Sequence, residues 1–85
     1  MAAPRVYWVA SIEAGLRFYD GRALAWDMGR DAGAVLAIAG VALAAARAGQ
    51  PLELTGPKGA RLVIEGRRWI LALARDCADL GFRWA

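Results

Sequence analysis

Hydrophobic and polar positions alternate along several short stretches of this chain and merge into one unbroken apolar run in its middle. From Asp31 to Ala48 the residues are Asp-Ala-Gly-Ala-Val-Leu-Ala-Ile-Ala-Gly-Val-Ala-Leu-Ala-Ala-Ala-Arg-Ala, with no polar side chain between Asp31 and Arg47. Alanine is the best helix former, Asp31 suits an N-cap, and Gly49 with Pro51 supplies a stop, so the run predicts a helix. A helix that is apolar on every side must be covered on every side. At 3.6 residues per turn Gly33, Ala37, Gly40 and Ala44 share one smooth face, and Val35, Leu36, Ile38, Val41 and Leu43 fill the remainder. Glycine in a helix costs about 1 kcal/mol relative to alanine, so the smooth face predicts a close neighbour, either the last helix of the chain or a partner.

The flanking segments read as strands. Arg5–Ala10 is rich in β-branched and aromatic residues. Ser11–Gly15 is a connection to Leu16–Tyr19, which is followed by Asp20-Gly21 and then Arg22–Trp26. Asp-Gly between alternating runs predicts a type I′ hairpin, which pairs Tyr19 with Arg22 and Arg17 with Leu24. Leu52–Thr55 and Arg61–Glu65 form a second hairpin across Gly56-Pro57-Lys58-Gly59. From Arg67 to Leu80, Trp69, Ile70, Leu73, Cys77 and Leu80 recur at helical steps, and Gly81 marks the end of that helix. The competing reading turns at Gly66-Arg67 and makes Arg68–Leu73 a strand.

The order βββαββα predicts a single α+β domain over residues 1–85, with a mostly antiparallel sheet of about five strands and two helices on one face. Alternation then turns Val6, Trp8, Leu16, Phe18, Ala23, Ala25, Leu52, Leu54, Leu62 and Ile64 toward the helices. Arg5, Tyr7, Arg17, Tyr19, Arg22, Leu24, Trp26, Glu53, Thr55, Arg61 and Glu65 point away.

The order of residues 31–57 has a counterpart among known domains. Asp31-Ala32-Gly33 opening an apolar helix, followed by Arg47-Ala48-Gly49-Gln50-Pro51-Leu52-Glu53-Leu54-Thr55-Gly56-Pro57, resembles the helix-then-strand of anti-sigma-factor-antagonist (STAS) domains. The phosphorylatable serine that those domains carry before this helix is missing, and hairpins do not fit their βα alternation. No residue role is carried over.

Composition narrows the chemistry. The chain holds no histidine and no asparagine, with Ser11, Thr55, Cys77, Lys58 and Gln50 each the sole residue of its type. Without histidine there is no Ser-His or Cys-His pair and no ordinary transition-metal site. Asp27 and Asp31 sit where acids offset a helix dipole, and Asp76 and Asp79 lie on an exposed helix face, so neither pair reads as an acid–base dyad. Gly56-Pro57-Lys58-Gly59 lacks the Gly-Lys-Ser/Thr order of a phosphate loop and reads as a turn. The expectation is a chain that is not an enzyme and needs no cofactor or metal.

Charge points to binding instead. The net charge is +3, and arginine supplies every basic residue but Lys58. Arg5, Tyr7, Arg17, Tyr19, Arg22 and Trp26 would set guanidiniums among aromatic rings on the open sheet face, and Arg67 and Arg68 oppose the dipole at a helix start. Such a face suits a protein interface and also base stacking with phosphate contact. The first expectation is a non-enzymatic protein-binding module, a small regulator or inhibitor, taking another protein or a second copy of itself through the Arg/aromatic sheet face or the Gly/Ala helix face. The alternative is a nucleic-acid-binding domain using the same arginines and rings. A lone cysteine and the absence of a signal-peptide pattern predict a cytoplasmic location. The apolar run of residues 32–46 spans about 22 Å, short of the ~30 Å bilayer core, so no membrane partner is expected.

Overall fold

The computed structural model describes residues 5–85. In order, the elements are β1 (Val6–Ser11), β2 (Gly15–Asp20), β3 (Ala23–Gly29), α1 (Ala32–Ala48), β4 (Leu52–Thr55), a 3-10 turn (Pro57–Gly59), β5 (Arg61–Ile64) and α2 (Arg67–Trp84). This is the expected α+β order βββαββα, and every strand pair is antiparallel. The hairpins do not follow the βα alternation of STAS domains. Among the described residues no helix is long and apolar enough to cross a membrane.

Hydrogen bonding divides the five strands into two sheets, β1-β2-β3 and β4-β5, rather than the single sheet expected. Arg5, Val6 and Asp20 of the first line a seam with Arg61, Val63 and Glu65 of the second. Four of these six side chains are charged, and their solvation opposes closing a ladder between the two edges.

The first hairpin corrects the expected register by one residue. Asp20 pairs with Ala23 and Tyr19 with Leu24, so the turn is Gly21-Arg22 rather than Asp20-Gly21. Of these turn residues only Gly21 takes a positive φ, 61°, whereas a type I′ turn needs two. Asp20 stays extended because it pairs with Val6 of β1 and the Gly21 N–H donates to the Arg5 carbonyl, with the Asp20 carboxylate beside the Arg5 guanidinium. Further along β3 the pairing slips twice, leaving Ala25 and Met28 as extra residues. The slip at Ala25 carries Trp26 to the inner face, opposite Phe18, which is the re-aiming a β-bulge produces. The two rings stack at 5.8 Å, and burying an indole there is worth more than leaving it in water. Ala23, expected to face the helices, is exposed beside the turn.

The core is one cluster drawn from both hairpins and both helices: Leu16 and Phe18 from β2, Leu52, Leu54, Leu62 and Ile64 from β4 and β5, Val35, Ile38, Ala42 and Ala46 from α1, and Ile70, Leu73, Ala74, Cys77 and Leu80 from α2. Val6, Trp8 and Trp26 close its margins. α1 begins and ends as its sequence dictates, with Asp31 Oδ1 accepting from Ala34 N at 3.1 Å and Gly49 in the left-handed conformation. Residues 68–73 are helix, which excludes the competing strand. α2 also runs past Gly81 to Trp84, whose indole N–H donates to the Ile12 carbonyl at 3.0 Å.

The helix–helix contact differs most from expectation. Gly33, Ala37, Gly40 and Ala44 are exposed, and a Cβ added at Gly40 would meet nothing within 4 Å. The close approach lies instead at Gly81, where a Cβ would stand 2.4 Å from Leu36 Cγ. The physical reason is that α1 turns Val35 and Ile38, with Ala42 and Ala46, toward the core, where burying the branched side chains gains more than contact through glycine.

Candidate interaction surfaces

The outer face of the first sheet forms two rows across its strands. Tyr7, Tyr19 and Leu24 make one row, and Val9, Arg17 and Asp27 make the other. The tyrosine rings stack on each other at 5.2 Å with their planes 11° apart. Arg17 Nε stands 3.3 Å from Asp27 Oδ2, and Arg5 pairs with Asp20 at the sheet margin. Of the residues expected to form one site, the structure therefore gathers Tyr7, Arg17 and Tyr19, with Arg5 at the edge. Arg22 sits in the turn, Trp26 faces the core, and Arg67 and Arg68 begin α2 and belong to neither row.

A second surface lies on the helices. α1 exposes Val41 (51%) and Leu43 (37%) alongside Ala37, Gly40 and Ala44. Ala39, Gly40 and Leu43 form one wall of a groove of about 380 Å³, and Leu71, Ala74, Arg75 and Ala78 of α2 form the other. At the α2 side Arg75 also borders a patch with Arg68, Trp69 and Ala72, where Trp69 is 47% exposed. Sequence reasoning marked Gly40 and Arg68 but missed Arg75, Leu71 and Ala78. The available signal was helical spacing, since residues 68, 72 and 75 recur at four- and three-residue steps on one face.

Four aspartates have structural roles. Asp27 accepts from Gly29 N at 3.0 Å, Asp31 caps α1, Asp76 Oδ2 accepts from the Trp8 indole N–H at 2.8 Å, and Asp79 holds Arg83. Among the described residues no three Cys, Asp or Glu side chains come together as a metal site would require. Burial, with a smaller contribution from Asp76, pushes the Cys77 thiol from 9.0 up to about 12. The thiol thus stays neutral in the fold while the unfolded chain ionises, so stability is lost as pH rises from about 9 toward 12. At pH 8 a disulfide reagent is expected to leave the native protein unmodified and to titrate one thiol in denaturant. Rapid native labelling would contradict the burial.

Comparison with protein-family models, curated proteins and solved structures gives no match. The helix-and-strand resemblance of residues 31–57 thus finds no support from any family.

Proposed function

We propose that the chain is a non-enzymatic protein-binding module, a small cytoplasmic regulator or inhibitor that docks through its helical side. The observation that carries this reading is the outer face of α1. A 17-residue helix whose one charged residue is Arg47 leaves Ala37, Gly40, Val41, Leu43 and Ala44 exposed. An apolar surface of this kind beside a groove suits the fully desolvated centre of a protein interface. The sheet face is a weaker candidate for nucleic acid than its composition promised. Base stacking needs open rings and free guanidiniums, but Tyr7 and Tyr19 stack on each other, Trp26 is turned inward, and Arg5 and Arg17 are paired with acids. A buried lone thiol is at home in a reducing compartment.

Capture from cell lysate on the immobilised chain, with and without nuclease, tests this reading. The expected result is protein retained after nuclease treatment and lost with Val41→Glu, a change at an exposed position that the fold tolerates. Retention that disappears with nuclease would transfer the function to nucleic-acid binding.

A further inference from the structure

The acids of α2 and two of its arginines border different hollows. Asp76 and Asp79 face β1, beside Trp8, Ala10 and Ile12. Arg68 and Arg75 lie around Trp69 and Ala72, with Asp79 one turn beyond Arg75, and Arg75 continues into the apolar groove between α1 and α2. No acidic residue lines either hollow, and among the described residues neither Arg68 nor Arg75 forms an ion pair. The start of α2 adds to this positive field. Gly66 offers no side-chain cap, the first turn holds no acid, and Arg67 and Arg68 stand where the helix dipole favours negative charge.

We infer that the α1–α2 groove is the docking site for an acidic amphipathic helix of a partner protein. Its apolar side chains would fill the groove against Gly40, Leu43, Leu71 and Ala78, and its Asp or Glu residues would pair with Arg68 and Arg75. This inference rests on the protein-binding reading above and names the site and the chemistry of its partner. Groove-and-helix recognition uses apolar anchors at helical spacing, and a rim of one sign selects partners of the opposite sign. The smooth face of α1 has a role in this arrangement, because Gly40 and Ala44 let a partner backbone approach closely. A second copy of this chain is a poorer occupant, since a two-fold contact sets the same patch against itself and brings its arginines together.

The test uses the full chain and two synthetic amphipathic peptides with the same leucine face, flanked by Glu in one and by Lys in the other. The Glu peptide is expected to bind about tenfold tighter or better, to weaken with salt, and to shift NMR signals of Gly40, Leu43, Leu71 and Ala78. The double variant Arg68→Glu, Arg75→Glu changes two exposed residues, and its fold is checked by circular dichroism. It is expected to prefer the Lys peptide. Equal binding of both peptides, binding of neither, or shifts centred on Tyr7 and Tyr19 would overturn the inference. So would tighter binding to phosphatidylserine vesicles or to an oligonucleotide than to the Glu peptide, or a dimer in sedimentation that closes the groove. If neither peptide binds while protein capture survives nuclease, this inference falls and the broader reading stands. If capture is lost to nuclease, both fall.

Discussion

Gly15→Ala is expected to be the most damaging small substitution in the chain, costing about 3–5 kcal/mol from steric clash and backbone strain together. An added Cβ would lie 1.9 Å from the Gly29 carbonyl oxygen and 2.2 Å from its carbon, and a backbone atom cannot move aside as a side-chain tip can. Gly15 also has a φ of 99°, a conformation that any Cβ resists. Both penalties fall where β2 begins, opposite the end of β3, so the damage reaches the three-stranded sheet and Leu16 and Phe18 within it. A domain of this size has a total stability on the order of 5–13 kcal/mol, and the loss would lower the melting temperature by more than about 12 °C. Thermal and urea unfolding followed by circular dichroism measure it. A melting temperature within a degree or two of the parent would mean that the β2–β3 geometry is wrong.

The second large effect is a difference in sign. Replacing glycine by alanine inside a helix ordinarily stabilises by about 1 kcal/mol. Gly40→Ala should show this gain, because nothing stands within 4 Å of the new methyl. Gly81→Ala should instead lose about 1–3 kcal/mol, because its methyl would lie 2.4 Å from Leu36 Cγ and 2.5 Å from Cδ2. Leu36→Ala removes the obstruction, so in that background Gly81→Ala should turn neutral or stabilising. The resulting double-mutant coupling locates the helix crossing. A stabilising Gly81→Ala in the parent, or a destabilising Gly40→Ala, would place the close contact back on the smooth face of α1.

These two glycines also show where the sequence was legible. The presence of the β2–β3 and β4–β5 hairpins, both helices and most of the core followed from alternation, helical spacing and turn residues, as with Asp31 at the cap of α1 and Leu52, Leu54, Leu62 and Ile64 facing inward. Features that depend on contacts distant in sequence were not legible. Asp20-Gly21 is a strong local turn signal, but the pairing of Asp20 with Val6 of β1 extends the strand and moves the turn by one residue. The bulge at Ala25, which buries Trp26 against Phe18, has no local signature, and it removed an aromatic ring from the expected site. Gly81 reads as a helix stop until Leu36 is known to lie against it. The candidate surface moved for the same reason. Arginines and rings sort onto the sheet face by parity, but which of them carries a partner depends on the tertiary pairing of Arg5 and Arg17 with acids.

Val41 and Leu24 offer a balanced comparison between the two surfaces, since they are exposed to 51% and 53% and lie on the helical side and on the sheet face respectively. A photo-crosslinking amino acid placed at either position in the full chain, irradiated in nuclease-treated lysate, tests the docking side most directly. Crosslinks to protein from position 41 and none from position 24 are the predicted result. Crosslinks from position 24 alone, or from neither position, would contradict the assignment of the exposed face of α1 as the binding surface.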